Sequence, residues 1–408
     1  MKPLDSVVVL DLTRFLAGPY CTLLLAGLGA EVIRVESPGG DLYRSHPPYG
    51  GPKGASLVRQ TDDDLGLAAL HRLRGKKSIT LNLRAPAGVD LFRRLSARAD
   101  VVVENFLPGT LEAMALGFAA LQAVNPRLVL CSISGFGQTG PYRDWRAFDP
   151  VVQAMSGISS VTGYPDRPPV RCGAAISDTS ASLYGVIGIL SALRARDRTG
   201  RGDWVDVSML DGSFFLLPDV LEFAIAGGES ERRGNGHPGT VPFNVYRTSD
   251  GWITVCAVAP REWQSVLRAL GRPELATDPR FEPSAGNRRV HREDVDALMQ
   301  EWAGQRTTAE AVETLQRHSV AAGPVRDLRE ALDDEHLHAR DMVVPLEHPS
   351  HGPIPGARGF GMPIKFLNHE ANLDQPAPAL GAHNADVYGR LLGLAAADLD
   401  SLRAQGVI

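Results

Sequence analysis

Residues 7–36 read VVVLDLTRFLAGPYCTLLLAGLGAEVIRVE. The β-branched run at 7–12 has the composition of a strand buried on both faces. Ala17-Gly18-Pro19 reads as a turn, with Pro19 suited to the first position of a helix that continues over 20–28. Gly29 ends that helix, and 31–36 is a second strand. Strand, helix and strand in succession form a βαβ unit, which demands parallel pairing through a crossover. The alternation continues through strand 78–83, helix 87–97, strand 101–105, helix 111–123 and strand 127–134. An α/β fold is therefore expected, with a large Rossmann-like parallel sheet covered on both faces. A dinucleotide-binding domain is the obvious rival, and Glu36 stands where a ribose contact would fall. The first turn, however, is LAGPY and not GxGxxG, so the glycines that cradle a pyrophosphate are missing.

A second informative stretch is 168–211, PPVRCGAAISDTSASLYGVIGILSALRARDRTGRGDWVDVSMLD. Ser177-Asp178-Thr179-Ser180 are residues that begin helices, and an apolar run follows over 181–193. Arg194, Arg196 and Arg198 load the C-terminal end, where the helix dipole favours positive charge. Residues 199–202, TGRG, then turn into a strand at 204–209. Asp178 reads two ways. It can be a helix N-cap, accepting a backbone N–H two or three residues on. It can equally be a carboxylate nucleophile, which is ionised at neutral pH and needs no general base. Periodicity does not choose between them.

The chain has 408 residues, 44% hydrophobic and 22% charged, with a formal net charge of −5. That length suits two domains, and that charge offers no basic bulk for nucleic acid or an anionic membrane. Cys21, Cys131, Cys172 and Cys256 are scattered without metal-ligand spacing, which is the pattern of reduced thiols; no metal site is expected. No apolar run reaches the length of a membrane span, and the opening MKPLDSVVVLDL lacks a signal-peptide pattern, so a cytoplasmic location is the expectation.

Several motifs recur together. PVRCGAAISD at 169–178 precedes an apolar helix and then RARDRTGRGDWVDVSMLD at 194–211. Upstream, in order, lie residues 11–41, GKKSITLNL at 75–83, ADVVVENFLPGTLEAMALGF at 99–118 and NPRLVLCSISGFGQTGPY at 125–142. This set resembles the class III CoA-transferases, the family of formyl-CoA, carnitine and succinyl-CoA:dicarboxylate CoA-transferases, over essentially the whole chain. The resemblance puts the catalytic nucleophile on Asp178. It puts CoA contacts on Leu16 and Ala17, on Leu81, Asn82, Leu83 and Arg84, on Asn105, Phe106 and Leu107, and on Arg146, Ala147, Phe148 and Asp149. It further implies a large CoA-binding domain from 1–200 and 330–408, a small α+β domain at 225–325, linkers at 201–224 and 326–329, and two subunits interlocked as a homodimer. Coenzyme A and its acyl thioesters enter as substrates, a small carboxylic acid is the second partner, and no cofactor is permanently bound.

The residues qualify this picture. A CoA site needs basic side chains and backbone donors for its phosphates. The densest basic stretch, HRLRGKK at 71–77, reads either as that or as a solvated loop. Where the family often carries basic residues, Ser37 and Ala113 stand; Leu73 takes a usual Asn position, and the polar segment 41–69 is longer than its usual counterpart. Gly135, Phe136 and Gly137 sit in a glycine-rich turn that suits a wall beside the thioester and an oxyanion site. For a dicarboxylic substrate, Arg14, Arg146 and Arg171 are candidate partners of the far carboxylate. The same fold family contains α-methylacyl-CoA racemases, which need a His where Phe148 stands, and phenylalanine carries no proton. A non-catalytic acyl-CoA-binding homologue is the remaining alternative, against which the intact Asp178 argues. His383, in Gly381-Ala382-His383 where the family has Gly-Glu-His, reads as a ligand or as a helix-start residue.

Overall fold

A computed structural model describes residues 1–228 and 232–408. The chain divides into two compact units, one of Met1–Ser156, Gly173–Leu216 and Leu332–Ile408, the other of Gly157–Cys172 and Leu217–Ala331. The expected extents placed 157–172 with the large domain, and the segment groups with the small one instead.

The large unit is built on a six-stranded parallel sheet: β1 (Val8–Asp11), β2 (Glu31–Glu36), β3 (Lys77–Thr80), β4 (Val101–Glu104), β5 (Val129–Ser134) and β6 (Trp204–Ser208), in the order β3-β2-β1-β4-β5-β6. That is the order of the Rossmann sheet, with its switch point between β1 and β4. Side chains alternate across each strand. Val9, Val101, Val103, Val129 and Cys131 face α1 (Ala17–Gly27) and α4 (Ile176–Thr199). Leu10, Val102 and Leu130 face the opposite core, with Phe92 of the helix Pro86–Ser96 and Tyr388 of the helix Asn384–Leu392. Apolar residues on both faces are what a parallel sheet clad in helices requires. Between α1 and α4 in sequence lie α2 (Leu67–Arg72) and α3 (Asp149–Ser156).

Several local expectations change. The first helix begins at Ala17, so Ala17-Gly18-Pro19 is its first turn and not a preceding one. Gly18 is required by contact, since a Cβ there would lie 2.3 Å from Thr13 Cβ. Its role is close approach of chain to chain, not phosphate binding. The expected helix 111–123 is two helices, Thr110–Ala113 and Phe118–Val124, broken where Ala115 takes a positive φ of 55°. The polar segment 41–69 carries a small antiparallel sheet of Tyr49–Gly51, Gly54–Ser56 and Leu65–Gly66. His383 occupies the start of the helix Asn384–Leu392, and its Nδ1 accepts the Ser78 N–H at 3.1 Å. α4 is long and apolar enough to span a membrane by length and composition, at mean hydropathy 1.3. Ala181, Val186 and Ile189 on it are buried in the core against the sheet, which accounts for its apolarity without a bilayer.

In the small unit, Phe243–Arg247 and Trp252–Cys256 form an antiparallel hairpin. Ala321–Pro324 adds a third antiparallel strand beside Trp252–Cys256. Thr307 and Glu310 make a capping box on the helix Thr308–Arg317.

One buried network fixes the carboxyl end of β1. Asp11 Oδ2 receives Lys76 Nζ at 2.9 Å and Thr22 Oγ1 at 2.8 Å. Its Oδ1 receives Thr13 N at 2.9 Å, Thr13 Oγ1 at 2.6 Å and Arg34 Nη1 at 3.1 Å. Burial pushes Asp11 up, but the charges of Lys76 and Arg34 prevail and hold its carboxyl well below the usual carboxylate range. Removing one partner from such a set leaves uncompensated buried charge. Asp11→Ala should therefore lose about 3–5 kcal/mol of stability, read as a lower urea midpoint at unchanged slope. An unaltered midpoint would show that Lys76 and Arg34 find water or other partners.

Candidate active site

The carboxyl ends of β1 to β4 open onto a cavity of about 870 Å³. It is lined by Leu12, Arg14 and Phe15 after β1, by Ser37, Asp41 and Tyr43 after β2, by Leu81, Asn82, Leu83 and Arg84 after β3, and by Phe106, Thr110 and Met114 after β4. Open α/β sheets bind ligands in this place, beside the switch point. The gap between β1 and β4 is tied by Asn105, whose Oδ1 accepts the Arg14 N–H and whose Nδ2 donates to the Arg14 carbonyl, both at 2.7 Å. Arg14 lies over the Phe106 ring, 5.6 Å from its centroid.

Of the expected CoA contacts, Leu81, Asn82, Leu83, Arg84 and Phe106 meet in this cavity. Leu16, Ala17, Asn105, Arg146, Ala147, Phe148 and Asp149 are not in its wall, and Leu107 borders a small neighbouring cleft with Glu104 and Trp204. The basic stretch 71–77 fits neither of its two readings. Lys76 is buried on Asp11, Lys77 pairs with Glu31 and Asp386, and Arg74 Nη2 donates to the Phe360 carbonyl at 2.6 Å. Leu73 is buried in a satellite core.

Asp178 lies in the first turn of α4, but it is not the N-cap. Ala175 holds that position and makes no side-chain cap bond. The cap comes from another helix. Asp149, at the start of α3, is buried, and its Oδ1 accepts the Ser177 N–H at 2.8 Å and the Asp178 N–H at 3.3 Å, while its Oδ2 accepts Gln153 Nε2 at 2.6 Å. An acid at a helix N-terminus satisfies both the open donors and the dipole. Both Asp149 oxygens are thus engaged, Oδ1 on the Asp178 turn and Oδ2 on Gln153 of its own helix.

With capping done elsewhere, the Asp178 side chain lies near the backbone N–H of Ala17, the first residue of α1, which helps to lower its carboxyl. Ser182 Oγ, one turn on, reaches the Ala17 carbonyl at 2.7 Å and the Asp178 carbonyl at 2.8 Å, locking the two helices together. Burial, and after it the charge of Asp149, raises the Asp178 carboxyl to about 6, against the opposing pull of Arg72 and the Ala17 N–H. It is a half-buried carboxylate poised near neutrality, held between two helix N-termini.

Three aromatic side chains pack together beside the large cavity. Phe15 packs edge-on against Phe148, centroids 5.6 Å apart, and against Tyr43 at 6.3 Å. Phe15 and Tyr43 also line the large cavity. The glycine-rich turn is organised differently from the expectation. A Cβ on Gly135 would lie 2.3 Å from Ala147 Cβ, so glycine lets 146–149 approach it. Phe136 packs against Tyr142 and Trp145. The Gly137 N–H donates to Ser134 Oγ at 2.9 Å and is already satisfied inside its own turn. Of the backbone donors, the one that meets the Asp178 carboxylate is Ala17.

Known proteins resemble this chain throughout. The family described as CoA-transferase family III matches residues 4–384. A succinyl-CoA–D-citramalate CoA-transferase of Chloroflexus aurantiacus is 40% identical, over 100% of this chain and 98% of its own. A succinyl-CoA:mesaconate CoA-transferase of Haloarcula marismortui is 37% identical, over 95% and 96%. Among solved structures, a CaiB/BaiF family protein from Brucella suis superposes with a TM-score of 0.80 at 35% identity, covering 96% of this chain and 99% of that one. With fold, length and sequence agreeing from end to end, the chain belongs to CoA-transferase family III and is a CoA-transferase.

Proposed function

We propose that the protein transfers CoA from succinyl-CoA to a dicarboxylic acid, with Asp178 as the nucleophile. The observation that carries this is the state of Asp178: a half-buried carboxylate raised to about 6 and touched by the Ala17 N–H. A carboxylate of that basicity is about nine-tenths ionised at pH 7 and more nucleophilic than an ordinary aspartate. The two relatives named above, which use succinyl-CoA by name, support the donor.

In the first step an Asp178 oxygen attacks the thioester carbonyl, the C–S bond breaks, and a mixed anhydride forms as CoA thiolate leaves. The thiolate then attacks the Asp178 carbonyl carbon, and the donor acid leaves as its carboxylate. This gives the aspartyl-CoA thioester. The acceptor carboxylate attacks that thioester and expels the thiolate, which attacks the acceptor acyl carbon of the new anhydride. Acceptor acyl-CoA and free Asp178 result. Each attack on the Asp178 carbon develops an oxyanion on its own oxygen, and the Ala17 N–H is the backbone donor near it. The 870 Å³ cavity, with Arg14 and Arg84 in its wall, takes the CoA phosphates. Phe148 stands where a racemase needs a proton carrier and supplies none.

Asp178→Ala and Asp178→Asn should both abolish transfer. In the wild-type protein, donor acyl-CoA alone should load CoA onto the peptide containing Asp178, with hydroxylamine trapping read as a mass change. Rapid α-deuterium incorporation into a 2-methylacyl-CoA without a trapped adduct would overturn the transferase chemistry at this residue.

The raised pKa carries a second expectation. The transfer rate should climb with pH through about 6, as the carboxylate ionises, and level off above it. Stability runs the other way. The folded value lies above the unfolded one near 4, so the protonated form is favoured by folding. That contribution is complete below the unfolded value and is lost as pH rises through about 6. Asp178→Asn keeps an acceptor for Ala17 and removes the charge. It should raise Tm over wild type at pH 7.5, by a margin that shrinks below pH 5; a margin independent of pH would contradict the assignment.

The same reading includes a homodimer. The outward residues Leu183 and Ile187 of α4 and the neighbouring Phe214 and Phe215 are exposed, an apolar surface of the kind that subunit contacts cover. Light scattering at dilute concentration should give twice the 43.8 kDa chain mass, and an active monomer would rule the dimer out.

A further inference from the structure

Arg72 closes α2, and its position differs from that of every other cation in the basic stretch 71–77. Its Nη1 donates to the Phe15 carbonyl at 2.5 Å, two residues before the Ala17 N–H that meets Asp178. The guanidinium also lies over the Tyr43 ring, 4.6 Å from its centroid. Phe15 in turn packs on Tyr43 and on Phe148. Among the described residues no carboxylate comes within ion-pair distance of Arg72, whereas Lys76 and Lys77 are paired with acids and Arg74 is bonded to backbone carbonyls. One N–H and one face of the guanidinium are used, which holds it in place, and its remaining donors have no protein partner. Its charge is the cationic influence on Asp178.

A half-buried arginine, clamped by main chain and aromatic ring yet lacking a counter-ion, is an anion receptor with little ordering left to do on binding. The three arginines that the sequence offered are placed less well. Arg14 lies over Phe106 at the large cavity, Arg146 is exposed, and Arg171 belongs to the other compact unit.

We infer that the Arg72 guanidinium receives the second carboxylate of a dicarboxylic acyl group whose first carbonyl is at Asp178. The inference rests on the transferase reading of Asp178 and names the residue that selects dicarboxylic over monocarboxylic substrates. In succinyl-CoA that second carboxylate lies two methylenes from the reacting carbonyl. A fork of two N–H groups matches its two oxygens, and a site built to pair a charge rejects the analogue lacking it because the arginine is then left unpaired.

The test compares the rate of CoA loading onto the Asp178 peptide from succinyl-CoA, from its half-amide succinamoyl-CoA and from butyryl-CoA, for wild type, Arg72→Gln and Arg72→Lys. In the wild type, succinyl-CoA should load about tenfold or more faster than either uncharged analogue at limiting concentration, with the difference appearing in the concentration dependence. Arg72→Gln should bring the ratio close to one, and Arg72→Lys should restore part of it. A ratio unchanged in Arg72→Gln, or loss in equal proportion for all three thioesters, would mean that Arg72 only tethers Phe15 and would overturn the inference. Should Arg72→Gln not fold, the wild-type comparison decides: equal loading from succinyl-CoA and succinamoyl-CoA rules the receptor out. Absence of a trapped adduct from any thioester in the wild type would be failure of the Asp178 nucleophile itself, an outcome separate from lost selectivity on an intact adduct.

Discussion

The buried carboxylate of Asp11 is the interaction on which the rest of the large unit depends. It closes β1, takes Lys76 from the lead into β3 and Arg34 from β2, and binds the Thr22 hydroxyl on α1. Three strands and a helix are thereby locked to one point. The Thr13 N–H and hydroxyl fold back onto the same carboxylate, which bends the chain sharply after β1. Gly18 then passes so close to Thr13 that no side chain fits. The chain therefore arrives at Ala17 with the α1 N-terminus facing outward from the sheet, and that N–H is the one that meets Asp178.

From there the chemistry follows from competition among a few charges. A helix N-terminus attracts an anion, and α4 has two acids at hand. Asp149 takes the capping role from a neighbouring helix, which leaves the Asp178 side chain unoccupied by the turn it sits in. Burial raises the Asp178 carboxyl most, and the like charge of Asp149 raises it further. Arg72 and the Ala17 N–H pull it back. A pKa near 6 is the balance, high enough for nucleophilicity and low enough for ionisation at neutral pH.

Phe15 and Tyr43 line the cavity at the carboxyl ends of β1 to β4, and Phe15 lies two residues before Ala17, where Ser182 ties α1 to the Asp178 turn. Both rings are fixed by Arg72, one through its carbonyl and one through its face. A long substrate with a charged nucleotide at one end and a reactive thioester at the other suits such a layout, because its two ends need different surroundings. The cavity wall offers exposed Arg14 and Arg84, while Asp178 is half-buried between the N-termini of α1 and α4.

Sequence by itself determined the parallel sheet, because runs such as 7–12 and 101–105 are apolar on both faces and alternate with amphipathic stretches. It also determined the family, because motifs from residue 11 to 211 recur in order, and with them the choice of Asp178 as the residue to ask about. What it left open was which acid caps α4 and which cations are free. Asp178 had the look of an N-cap, yet Asp149, 29 residues away in sequence, takes that role; spacing carries no record of a cap delivered from another helix. The stretch 71–77 looked uniformly basic, yet Lys76 is sealed on Asp11 while Arg72 keeps donors to spare, since burial depends on what packs above each side chain and not on its neighbours in the chain. The Gly137 N–H and the Ala17 N–H are equally plain in sequence. Only the folded backbone decided that the first is satisfied by Ser134 and the second points at Asp178.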